Sequence, residues 1–113
     1  EEHPMLTAAC LMVRTDDYRK TGGLDEGYVV GDFEDSDLCL KLRNMGKRLY
    51  LAPKVRLWHM ERQSQNTAEI AGSRQLITLF NGWRYRRKID RGELADPRQT
   101  DAPEGKEKKE AGA

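Results

Sequence analysis

The segment Gly31-Asp32-Phe33-Glu34-Asp35-Ser36-Asp37-Leu38, continued by Cys-Leu-Lys-Leu-Arg-Asn-Met-Gly, constrains the chain more than any other. Leu38, Leu42 and Met45 recur at the spacing of one helix face, with Lys41, Arg43 and Asn44 turned away from them. Gly46 then offers a C-terminal stop. The pattern predicts a helix over 33–45 that opens on a run of acids. Asp37 and Lys41 form an i,i+4 pair in the favourable orientation.

The flanking segments alternate between strand-like and helix-like patterns. Residues 7–13 are short and apolar and read as a buried strand. Thr15-Asp16-Asp17 supplies a cap and first-turn acids for a short helix through Lys20, which Gly22-Gly23 stops. After the turn at 24–27, Tyr28-Val29-Val30 is apolar enough to pack down. Residues 48–51 and 55–58 read as two strands joined by Ala52-Pro53-Lys54, the second running into His59. Residues 63–67 are polar and read as a loop. A second helical pattern covers about residues 70–90 and places Leu76, Leu79 or Phe80, and Trp83 on one face. Asn81-Gly82 falls inside it and argues against one unbroken helix. Residues 96–113 contain no side chain more apolar than Ala and are expected to be a disordered tail. The fold class that follows is α/β, part of a mixed sheet with flanking helices, in one domain over 1–95.

Composition limits what that domain can do. With 113 residues, 37% of them hydrophobic, the chain can bury one modest core and would be strained by a large two-substrate active site. No apolar run approaches the roughly 20 residues needed to span a bilayer. The sequence opens Glu1-Glu2-His3-Pro4 rather than with Met, which raises the expectation that it belongs to something longer. Twenty Lys plus Arg against 19 Asp plus Glu leave a net charge of +1, but the charges are segregated. Eight acids face two bases between positions 16 and 37, and six bases face one acid between 74 and 92. Cys10 and Cys39 lack a second Cys or His at zinc-binding spacing, and point to a reducing, cytoplasmic setting.

Three places could carry chemistry. The acids at 32–37 can simply complement the positive end of a helix. Asp35, however, lies three residues before Leu38 and seven before Leu42, so it shares their inward face. An enclosed acid at a helix start suits a general base acting on a hydroxyl. His59, at the end of an apolar strand, reads either as a half-buried histidine or as a metal ligand needing partners from elsewhere. The stretch from Phe80 to Lys88 mixes aromatics with cations. It fits a helix docked on its own domain, a membrane-surface helix contacting anionic lipid through Trp83, Arg84, Arg87 and Lys88, or a nucleic-acid contact. The last is disfavoured because the acidic segment would repel the same ligand. Neither a phosphate-cradling glycine loop nor a nucleophile elbow is present.

Taken in order, an apolar strand, a Gly-Gly-apolar-Asp turn, the Glu-Asp-x-Asp-Leu helix start, a Gly after the helix, an apolar-x-Pro turn and a strand ending in His resemble a known family. Residues 7–64 resemble the C-terminal, acceptor-binding half of family 2 glycosyltransferases of the GT-A fold. The resemblance implies Asp35 as the catalytic base of inverting transfer, Glu34 and Asp37 on the acceptor side, and His59 as a ligand of a divalent metal. It implies a nucleotide-sugar donor, a glycan or glycolipid acceptor, and Mg²⁺ or Mn²⁺ held mostly by an N-terminal half. That nucleotide-binding half, with its Asp-x-Asp metal motif, is not in these residues; Asp35-Ser36-Asp37 has the spelling but lies where the base should be. The isolated chain is therefore expected to be inactive, with peripheral contact to the cytoplasmic face of a membrane and no nucleic-acid partner. The alternative is a non-catalytic carbohydrate- or partner-binding module on the same scaffold.

Overall fold

In the computed structural model the structure describes residues 1–60 and 68–96, with side chains for 1–60 and 73–96. The order is a single 3₁₀ turn (Ala8–Cys10), then helices α1 (Thr15–Lys20), α2 (Glu34–Asn44) and α3 (Ala68–Asp90). The expected loop at 63–67 and nearly all of the expected tail lie outside the described residues.

The three helices form where local chemistry asks for them. Helix α1 carries Asp16 and Asp17 in its first turn and Arg19 and Lys20 in its last, complementing the dipole at both ends. Its cap residue is Arg14, with no side-chain bond, so Thr15 starts the helix rather than capping it. Helix α2 ends as the sequence predicts. Gly46 adopts φ 77°, its amide donates to the Arg43 carbonyl at 2.9 Å, and the Lys47 amide reaches back to Leu42 at 3.0 Å. Those two bonds are the Schellman arrangement, and a left-handed residue is what makes it possible. Helix α3 runs 23 residues without a break at Asn81-Gly82. A Cβ at Gly82 would make only ordinary van der Waals contact with the Phe33 ring, at 3.5 Å.

Helix α2 is central. Leu38, Cys39, Leu40 and Leu42 are all buried, and Leu38, Cys39, Leu42 and Leu49 form a cluster against which Leu6, Leu11, Val13 and Tyr18 pack. The Cys39 thiol is pushed up in pKa by burial and also donates to the Leu6 carbonyl at 3.4 Å. Cys10, by contrast, is exposed.

The α/β expectation is overturned: the described residues contain three α-helices and no strand or sheet. Residues 7–13 form the 3₁₀ turn and extended chain, not a buried strand. Residues 48–51 make one isolated antiparallel bridge, Glu2 with Tyr50, supported by His3 N–H to Leu49 O at 2.9 Å and Leu51 N–H to Glu1 O at 2.8 Å. Residues 55–60 belong to no helix or strand and are exposed, Trp58 fully so, with no bridge to another described segment. The reason is general. A strand is completed by a neighbour that satisfies its backbone groups, and apolar alternation specifies only its own half of that pairing. Of Tyr28-Val29-Val30, only Tyr28 packs down.

Candidate functional site: an acidic rim over a charged interior

The turn leading into α2 is held in an unfavourable backbone. Val30, Asp32 and Phe33 have φ of 65°, 138° and 70°, a region that costs non-glycine residues on the order of 1–3 kcal/mol each. Such a turn persists only where its surroundings fix it. The buried side chain of Asn81 on α3 accepts from Val29 N–H and donates to Val29 O, both at 2.9 Å. A γ-turn closes over Val30, Gly31 N–H to Val29 O at 2.7 Å. The Glu34 carboxylate accepts from the Asp32 amide at 2.6 Å, and the Phe33 ring packs on Tyr85 with centroids 5.3 Å apart.

This turn delivers a rim of half-buried acids to the N-terminus of α2. Asp35 accepts from the Ser36 amide at 2.8 Å through Oδ1 and from the Ala8 amide at 3.3 Å through Oδ2. Each oxygen keeps acceptor capacity for a further donor. Beside the same turn a cavity of about 700 Å³ opens between Asp32, Phe33 and Ser36 on one side and Arg74, Gln75, Thr78 and Leu79 of α3 on the other. The Thr78 hydroxyl donates to Asp32 at 3.3 Å across it. The lining mixes hydroxyls, an amide and both charge signs with the apolar surface of Phe33 and Leu79.

One turn further along α2 the chemistry is different. Asp37 is 0% exposed. Its Oδ2 accepts from the Tyr28 hydroxyl at 2.8 Å and from the Lys88 ammonium, and its Oδ1 has the Lys41 ammonium as ion-pair partner at 3.0 Å, outside hydrogen-bonding alignment. Lys88 also donates to Asp25 at 2.9 Å, and Arg84 grips Asp25 with two nitrogens at 3.1 and 2.9 Å. Burial pushes the Asp25 carboxyl up, but bonds from Arg84, Lys88 and the Gly27 amide outweigh it and hold the group well below the usual carboxylate range. For Lys88, burial works against the charge, and the bonds it donates to Asp25 and Asp37 overcome it, leaving the pKa raised. Tyr28 is pushed far up, first by burial and then by its bond to Asp37. A Cβ at Gly27 would overlap the Arg84 guanidinium, so the end of that side chain would have to shift.

The predicted residues therefore separate. Glu34 and Asp35 share the rim. Asp37, expected to face an acceptor, has its carboxylate enclosed among Tyr28, Lys41 and Lys88. Arg84 and Lys88, expected at a membrane or anion surface, are turned inward onto Asp25 and Asp37. Trp83 and Arg87 do face outward, with the Arg87 guanidinium 5.0 Å from the Trp83 ring centre. His59 lies in the exposed stretch 55–60, and no group of three His, Cys, Asp or Glu able to hold a metal occurs among the described residues. Sequence reasoning missed Asp25, Tyr28, Asn81 and the α3 wall of the cavity. A signal for the first existed: Arg84 and Lys88, one turn apart, needed an acidic partner once α3 was a helix.

No family model matches the chain, and no solved structure matches it. The chain is similar to the uncharacterized protein y4gI of Sinorhizobium fredii (strain NBRC 101917 / NGR234), with 31% identity over 90 residues. Those residues are 80% of this chain and 9% of that protein, so the chain spans under a tenth of its relative's length.

Proposed function

We propose that the chain is the acceptor side of an inverting glycosyltransferase, with Asp35 as the catalytic base. The observation that carries this reading is the strained, Asn81-anchored turn that sets half-buried Glu34 and Asp35 at a helix start, flanked in sequence by the cavity-lining Asp32, Phe33 and Ser36 although neither acid is itself in the lining. Strain of this kind is conserved in energy only where something else holds it, and it clusters at functional sites.

In the proposed step an acceptor hydroxyl seated against the Asp32–Ser36 rim attacks the anomeric carbon of a nucleotide-sugar. The new C–O bond forms as the bond to the diphosphate breaks, and the hydroxyl proton passes to Asp35. Glu34 orients the acceptor while bracing the Asp32 amide. A divalent cation, Mg²⁺ or Mn²⁺, would neutralise charge on the leaving diphosphate. In this proposal the cation and the donor are held mostly by the nucleotide-binding half of a longer protein. The acceptor is a glycan or glycolipid, and the two unpaired thiols support a cytoplasmic setting.

The test is Asp35→Asn in a longer protein that contains this chain. Transfer is expected to fall about 100-fold or more, with donor affinity unchanged. Near-normal turnover would place the base elsewhere, and acceptor binding without any turnover in the unaltered protein would favour a binding module.

A further inference from the structure

Helix α3 is inside out relative to its sequence pattern. The face carrying Asn81, Arg84 and Lys88 packs inward, and the opposite face carries Leu76, Leu79, Phe80 and Trp83, all exposed. Leu76 is 71% exposed and Trp83 54%, so among the described residues nothing covers this stripe. It spans two turns and leads into Arg87, stacked on Trp83, and then Arg91. Of the acids at that end, Asp90 is paired with Arg86 at 3.0 Å, and Glu93 lies past the end of the helix. No helix among the described residues is long and apolar enough to cross a membrane.

We propose that this face of α3 docks on an anionic lipid surface, with Leu76, Leu79, Phe80 and Trp83 entering the interface and Arg87 and Arg91 meeting the headgroups. The charge pattern selects this occupant. An apolar protein face would leave Arg87 and Arg91 without counter-charge, whereas an anionic bilayer supplies apolar depth and negative charge at adjacent levels. Trp with a cation against its ring suits the boundary between the two. The docking does not depend on the function proposed above. Leu79 belongs to both the stripe and the cavity wall, so docking brings the cavity to the lipid surface.

The test is co-sedimentation of the full 113-residue chain with vesicles. Vesicles containing phosphatidylglycerol should carry the chain down at low salt and less so at high salt, and pure phosphatidylcholine should carry far less. Arg87→Gln with Arg91→Gln should weaken partitioning, each by about fivefold. Phe80→Ser with Trp83→Ser should abolish it while helical circular dichroism is retained. Should that pair lose helix, Leu76→Ser alone is expected to lower partitioning. In a Trp58→Phe background, Trp83 emission should shift to the blue on phosphatidylglycerol vesicles. The proposal is overturned by no sedimentation at low salt, by equal binding to neutral vesicles, or by sedimentation with unshifted Trp83 emission. Self-association without vesicles that Trp83→Ser removes would also overturn it, assigning the stripe to a second copy.

Discussion

Asp35 and Asp37 stand two residues apart on one helix, and the structure gives them opposite surroundings. Asp35 sits at a half-open rim, held by two backbone amides. Asp37 is enclosed with Tyr28, Lys41 and Lys88. What separates them is the arrival of α3, whose cations reach only the inner acids. Charges within one acidic run are therefore not equivalent: Asp37 is paired with cations of α2 and α3, and the proposed base Asp35 is held by backbone amides.

The largest expected effect breaks the inner half of that contrast. Lys88→Met removes the cation shared by Asp25 and Asp37, leaves a buried carboxylate under-compensated, and should cost about 3–4 kcal/mol, read from urea unfolding of the chain. Acid titration comes next. The Asp25 carboxyl is depressed in the folded state, so its contribution is fully present above the unfolded value near pH 4 and is lost as pH falls towards the folded value. Asp25→Asn should flatten that acid limb. At the other end, Tyr28 and Lys88 hold their protons longer folded than unfolded, so stability should fall as pH rises above about 10. Tyr28→Phe should reduce this alkaline loss. The smallest effects mark the edges of the cluster. Gly27→Ala displaces only the flexible end of Arg84 and should weaken its grip on Asp25 by about 1 kcal/mol. Leu76→Ser, on the outward face, should change stability by less than about 0.5 kcal/mol.

What was legible in the sequence was local. The spacing of Leu38 and Leu42, the acids opening α1 and α2, and the left-handed glycines at 22, 23 and 46 are settled within a few residues, and the helices formed there. The Asp37–Lys41 pair was legible for the same reason. The strands were not, because residues 55–58 carry a strand's apolar alternation but find no pairing partner among the described residues. The inward face of α3 was not legible either. A hydrophobic count chooses Leu76 and Trp83, but Arg84 and Lys88 find carboxylates 59 and 51 residues away, and only tertiary placement shows that. The positive φ at Val30 and Phe33 had no sequence cue beyond Gly31, since the turn is held by Asn81 on Val29 and by Tyr85 against Phe33, both from across the fold.

The division of the acidic run is tested most directly by urea unfolding of Asp35→Asn and Asp37→Asn in the same chain. Asp37→Asn strips the buried cations of a counter-charge and should cost about 3 kcal/mol, whereas Asp35→Asn keeps an acceptor at the rim and should cost less than about 1 kcal/mol. Equal losses, or a larger loss at Asp35, would contradict the account.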